Sequence, residues 1–242
     1  MGRHYEVRAA SMAKTAAKKA KIYSRYGKEI YLAAKSGVPD PEMNVSLKRV
    51  IAQAKSNQVP ADVISRAVDK AKGGSTDDYH SVRYEGFGPE SSTVIIDCLT
   101  DNANRSLSDV RTCFNRAHYK MGVNGSVSFA YDQCGFFVFE YDDEEHILEI
   151  LLENNVDVLE IESEDGLIEL QVPFDQFHDA RAVLDTVVGE EYEYKVVEIT
   201  MLPHDTVELT QQEDVEVFKR FIEMLEDVDD VQNVYHNVSN LE

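Results

Sequence analysis

The chain has 242 residues, 43% hydrophobic and 29% charged, and its net charge of −21 averages two unlike parts: Met1–Gly74 carries 15 Lys and Arg against 6 Asp and Glu, Ser75–Glu242 carries 9 against 39. No apolar run approaches the roughly 18 to 20 residues that span a bilayer, and the basic N-terminus lacks the apolar stretch of a secretory signal. A membrane partner is therefore excluded, and a soluble, cytoplasmic protein is expected.

The first 74 residues read as three helices with clear punctuation. A long pattern from about Met12 to Lys35 places Ile22, Tyr26, Ile30 and Ala33 at helical spacing, and Gly37 stops it. Asp40-Pro41 then reads as an N-cap and first-turn proline opening a helix to about Ser56. Pro60 opens a third helix, with Val63, Ile64, Ala67, Val68 and Ala71 inward, and Gly73-Gly74 closes it.

From Ser75 the pattern turns to strands. Ser81–Tyr84 and Thr93–Thr100 read as strands, Arg105–His118 as a helix and Ser126–Tyr131 as a further strand. A strand at Gly135–Glu140 and a helix at Glu144–Asn154 follow. Val156–Glu162 and Leu167–Val172 are joined by an Asp165-Gly166 hairpin turn, and a helix at Phe174–Val187 and a strand at Tyr192–Ile199 come after them. From Cys134 to Leu202 the order is βαββαβ, the ferredoxin-like signature. The ββαβ of 76–132 lacks a closing helix and strand, which an amphipathic helix over 210–227 and a strand at Val231–Val238 supply. The expected organisation is a basic helical domain over 1–75, a discontinuous α+β domain from 76–132 with 204–242, and an inserted βαββαβ domain over 133–203. The fold class is thus α+β: an N-terminal three-helix domain plus two ferredoxin-like domains, the third inserted into the second.

The strongest functional pattern lies on the first helix. Lys14, Lys18, Lys21, Arg25 and Lys28 are spaced 4, 3, 4 and 3, which at 100° per residue puts them in an arc of about 80° and a stripe of roughly 21 Å. Like charges at i, i+4 cost helix stability, so a stripe of one sign suggests a phosphate track rather than a solvated face. Lys48, Arg49 and Lys55 on the second helix, and Arg66, Lys70 and Lys72 on the third, extend the field. Asn102, Asn104, Arg105 and Arg111 place amide and guanidinium donors at a strand–helix junction, suited to phosphates or base edges; the capping and turn roles of Asp and Asn explain two residues of the Asp101–Asn104 cluster equally well.

Catalytic patterns are missing. Seven histidines are scattered with no H-E-x-x-H run, and the three cysteines, Cys98, Cys113 and Cys134, form no C-x-x-C pair and fit reduced thiols. Gly86-Phe87-Gly88-Pro89 is not a dinucleotide fingerprint, and neither a Walker motif nor G-x-S-x-G occurs. Glu160, Glu162 and Glu164 alternate along one strand and could face a hard cation, though a solvated strand face accounts for them as well. No catalytic residue, metal ligand or cofactor is expected.

Four stretches carry a resemblance: residues 21–74, RYEGFGP at 83–89, LTDNANRSLSDVRTCFN at 99–115 and NGSVSFAYDQCG at 124–135. Together they resemble the YebC family, its YeeN-like branch in particular, over essentially the whole chain. The resemblance implies a helical N-terminal domain and two α+β domains, with the third inserted into the second. It also implies a DNA-binding transcriptional regulator, or, as in a related mitochondrial translational activator, a factor acting on the ribosome. Two departures stand out. Gly2-Arg3-His4-Tyr5 replaces the common Gly-His-Ser-Lys-Trp opening in a chain without tryptophan, and His118–Gly122 replaces a Gly-Gly pair before the G-S-V segment. The expectation is a nucleic-acid-binding regulator of gene expression, most simply a DNA-binding transcriptional regulator. Its competitors are a ribosome-associated translation factor on rRNA or tRNA, and a metal-dependent enzyme using the acidic strand.

Overall fold

The computed structural model describes residues 16–73, 79–189, 192 and 194–241, with the backbone alone over 16–20. Three helices come first: α1 (Ala16–Lys35), α2 (Val45–Ser56) and α3 (Ala61–Lys72). The apolar period that predicts them also builds their core, where Tyr26, Ile30, Leu47, Ile51, Ile64 and Val68 are buried together. The second helix starts later than Asp40-Pro41 suggests. Asp40 instead closes a turn by accepting from the Glu42 N–H at 3.0 Å. Asn44 takes over as the cap: its carbonyl accepts from the Leu47 N–H at 3.0 Å, while its amide donates to the Ala33 and Val38 carbonyls.

The remaining elements are β1 (His80–Phe87), β2 (Thr93–Thr100), α4 (Ala103–Ala117), β3 (Lys120–Met121), β4 (Tyr131–Glu140), α5 (Glu144–Glu153), β5 (Glu160–Glu164), β6 (Leu167–Pro173), α6 (Phe177–Val188), β7 (Val196–Pro203), α7 (Gln212–Glu226) and β8 (Val231–His236). The strands form two antiparallel four-stranded sheets, ordered β3-β1-β2-β8 and β5-β6-β4-β7. The second order is that of a ferredoxin-like βαββαβ unit. Strand β8 pairs with β2, placing His236 opposite Val94, so the chain returns to the first sheet after completing the second. The fold is α+β.

Each sheet buries one face under its helices. In the first, Val94, Ile96 and Cys98 of β2 meet Val110 and Phe114 of α4 and Phe218 and Phe221 of α7. In the second, Phe137 and Phe139 of β4 meet Ile147 and Leu151 of α5 and Phe177 and Leu184 of α6. Ile95, on the opposite face of β2, packs with Val127, Tyr131 and Met201 and so joins the two sheets.

Several strands differ from expectation: β4 starts at Tyr131 rather than Gly135, β5 runs Glu160–Glu164 rather than Val156–Glu162, and two further differences have a visible cause. Ser126–Tyr131 is not a strand: a 3-10 turn occupies Ser128–Ala130, because the backbone donors of Gly125, Val127 and Ser128 bind the Glu85 carboxylate instead of a ladder partner. The edge position goes to the two-residue β3. Strand β7 begins at Val196 rather than Tyr192, since the Tyr192 hydroxyl accepts the Glu140 N–H at 2.8 Å and the Tyr194 hydroxyl donates to Asp185 at 2.8 Å.

Candidate nucleic-acid interface

Lys14 lies outside the described residues, as does the side chain of Lys18. The remaining three members of the α1 stripe face the protein. Lys28 Nζ donates to Asp230 Oδ1 at 3.0 Å and to the Asp229 carbonyl at 2.8 Å, and Arg25 Nη1 donates to the Gln232 carbonyl at 2.8 Å. Burial lowers the Lys21 ammonium below its ordinary pKa, against the pull of Asp227, Glu226 and Asp229. This is the physical resolution of the one-signed stripe over residues 21–28: Lys28 finds its countercharge in the acidic turn between α7 and β8, some two hundred residues away, and Arg25 has Glu29 of its own helix at 3.5 Å.

The strand–helix junction feeds the same joint. Arg105 holds Asp230 through Nε at 3.1 Å and Nη2 at 2.8 Å, and reaches Asp101 at 2.8 Å. Ser106 and Thr100 add hydroxyl donors to Asp230 Oδ2 at 2.8 and 3.0 Å. The Asp230 side chain is only 2% exposed. Burial alone would raise its pKa, but the hydrogen bonds from Arg105, Lys28 and Ser106 outweigh it and hold the carboxyl at about 2. Asn102 is the N-cap of α4, accepting from the Arg105 N–H at 3.1 Å. Asn104 and Arg111 are exposed. They lie seven residues apart and so share one side of α4.

The cations of α2 and α3 behave differently. Lys48, Arg49, Lys55, Arg66, Lys70 and Lys72 are all exposed. Three hold surface carboxylates: Lys48 with Glu42 at 3.6 Å, Arg66 with Asp62 at 2.6 Å and Lys72 with Asp69 at 3.1 Å. Lys70 sits over the Tyr31 ring at 5.2 Å. Among the described residues Arg49 and Lys55 have no carboxylate within ion-pair distance. Exposed pairs of this kind hold a side chain weakly, typically by under about 1 kcal/mol, so a phosphate can replace the carboxylate.

Sequence reasoning missed Glu85. It is buried on β1, and its carboxylate takes three backbone donors at 2.8, 2.5 and 3.0 Å from the loop carrying Val123 and Phe129. Burial pushes its pKa up, yet these donors bring it below the ordinary value. The available signal was the pairing of two long motifs, RYEGFGP and NGSVSFA, which this bond joins. The glycines beside it are explained by contact: a Cβ on Gly86 would lie 2.2 Å from the Phe114 ring, and one on Gly122 2.3 Å from Ser126 Oγ. Glu160, Glu162 and Glu164 are exposed on β5, and among the described residues no three His, Cys, Asp or Glu side chains are grouped to hold a metal. All three cysteines are buried and unbridged, and burial pushes the Cys98 thiol up to about 12. No described helix is long and apolar enough to cross a membrane.

Comparison with known proteins agrees with this architecture. Residues 3–74 match the TACO1/YebC protein N-terminal domain, and residues 79–238 match the TACO1/YebC second and third domain. Proteins named probable transcriptional regulatory proteins are similar over 98% of the chain: one of Vibrio parahaemolyticus at 51% identity, covered to 99% of its own length, and one of Alteromonas mediterranea at 48%, covered to 98%. The crystal structure of a conserved hypothetical protein of Aquifex aeolicus superposes with a TM-score of 0.76 at 28% identity, covering 93% of this chain and 92% of that one. With both family models matched across its length, the chain belongs to the TACO1/YebC family.

Proposed function

We propose that the chain is a non-catalytic, cytoplasmic, nucleic-acid-binding regulator of gene expression that acts on DNA as a transcriptional regulator, the role its relatives' names carry. In this reading residues 1–75 form the binding domain, 76–132 with 204–242 form the domain it docks on, and 133–203 is an insertion. The exposed cations of α2 and α3, on a segment of net charge +9, are the observation that supports it. Lys48 and Lys55 lie seven residues apart on α2, and Arg66 and Lys70 four apart on α3, so each pair shares a helix face that can follow a phosphate backbone. The −30 charge of the remainder repels polyanions and restricts contact to that face. A second reading, binding rRNA on the ribosome, is favoured by the docking of α1. Lys21, Arg25 and Lys28 of this basic helix lie against the segment 226–232, which keeps that face out of a major groove. Crosslinking in cells followed by sequencing of the bound nucleic acid tests both: promoter DNA is expected for the first reading and rRNA for the second, and recovery of neither defeats the proposal.

A further inference from the structure

The second sheet carries its helices on one face only. Along β4, Phe137 and Phe139 pack on α5 and α6, and the alternate residues Cys134, Phe136 and Val138 point the other way. All three are at 0% exposure, so β4 is shut off from solvent on both faces. The described apolar side chains packed with them, Leu202, Leu167 and Val196, belong to the same sheet, and none comes from a described helix. Register carries this face across the sheet. Phe136 lies opposite Gln171 and Glu198, Val138 opposite Glu169, and Glu169 opposite Glu162, with Glu160 and Glu164 on either side of it along β5. An apolar centre is thus edged by carboxylates. Glu169 Oε1 is out of reach of solvent and has no hydrogen-bond partner among the described residues. Burial, and then the charge of Glu162, raises its pKa. A buried acceptor in that state calls for a donor, and beside other carboxylates for a cation.

The chain outside the described residues narrows the choice of what meets this face. Residues 74–78, 190, 191, 193 and 242 are short and bring only Asp77, Asp78, Glu190, Glu191, Glu193 and Glu242 as charges, which an acidic face repels. Residues 1–15 have the opposite character: Arg3, Arg8 and Lys14 stand against Glu6 alone, with Tyr5, Val7 and Met12 as apolar partners. Fifteen residues reach at most about 50 Å when extended, and four strands side by side measure about 15 Å across. This segment has both the length and the chemistry to cover the face.

We propose that the basic segment 1–15 docks on the open face of the second sheet, with its apolar side chains over Phe136 and Val138 and its arginines on Glu162 and Glu169. The contact is made within one chain and ties the residues ahead of α1 to that sheet. Cys134 is the probe, since it lies on this face, and Cys98 and Cys113 in the core of the first sheet are the controls. Alkylation of the native full chain by iodoacetamide is followed at each cysteine by mass spectrometry. Arg3→Glu combined with Arg8→Glu should speed the reaction at Cys134 about tenfold, with Cys98 and Cys113 unchanged. Adding Glu162→Arg should slow it again, and a chain lacking 1–15 should react at Cys134 at least as fast as the charge-reversed one. A Cys134 rate unchanged in both the charge-reversed and the shortened chain overturns the proposal. A rise shared equally by all three cysteines overturns it as well, because it reports general loosening. So does a Cys134 rate that climbs when the parent is diluted, which assigns the face to a second copy of the chain.

Discussion

The lysines and arginines of α1 and those of α2 and α3 share residue types and helical spacing, yet the fold treats them in opposite ways. On α1, Lys28 is 14% exposed and bonded to Asp230, with Arg25 on the Gln232 carbonyl beside it. On α2, Lys55 is exposed with no carboxylate in ion-pair range among the described residues. A stripe of like charge marks a polyanion partner, but the polyanion can be another part of the same chain. The acidic turn at Asp229-Asp230 is that partner for Lys28 of α1, while the cations of α2 and α3 are exposed.

The comparison breaks most directly at Asp230. Asp230→Ala removes the carboxylate that Lys28 and Arg105 share and leaves buried charge uncompensated, so chemical denaturation should show a loss of about 3–5 kcal/mol. Lys55→Gln in the same assay should stay within about 0.5 kcal/mol. Acid should reproduce part of the Asp230 loss. Its folded pKa of about 2 lies below the ordinary 3.8, so its contribution is fully present above about pH 4 and lost as pH falls toward 2. A depression of that size corresponds to about 2 kcal/mol. Denaturant midpoints between pH 5 and 2 should fall more in the parent than in Asp230→Asn, and equal slopes would remove the carboxylate from the account.

Affinity should sort the cations the other way. Changing Lys48, Arg49 and Lys55 together to Gln should leave the melting temperature nearly unchanged. The slope of log K against log salt on duplex DNA should become shallower by about 2 to 3. Lys28→Gln should instead lower stability by about 1–3 kcal/mol and leave that slope alone, and a slope change there would restore α1 as a phosphate contact. The smallest effect is expected at Arg66. Its pair with Asp62 is exposed on both sides, so Arg66→Gln should shift stability by no more than about 0.5 kcal/mol.

Local features were legible in the sequence. The periods of α1 and α3 gave inward residues that pack into one core, and the Asp165-Gly166 turn has both residues at positive φ, 53° and 76°, as a two-residue hairpin requires. What could not be read was the identity of long-range partners. Lys28 and Asp230 stand 202 positions apart, and spacing on one helix says nothing of what lies opposite. The misplaced strand at Ser126–Tyr131 has the same origin: its apolar alternation is real, but a carboxylate forty residues upstream takes its backbone donors. Asn102 and Arg105 look like ligand groups because capping and ion pairing use the same residue types as phosphate recognition.

The return of β8 to β2 sets a timetable for synthesis. When Thr100 has left the ribosome, β2 has β1 on one side and nothing on the other, because the partner of Val94–Cys98 lies in Val231–His236. About 130 further residues must be added first, roughly 7–26 s at ordinary translation rates. Throughout that interval an apolar strand edge is open to wrong pairing, and Lys28 waits for Asp230. The second sheet can close in the meantime, since all four of its strands lie between Tyr131 and Pro203. The nascent chain thus completes its later sheet first, and the addition of one six-residue strand seals the earlier sheet and locks α1 against it.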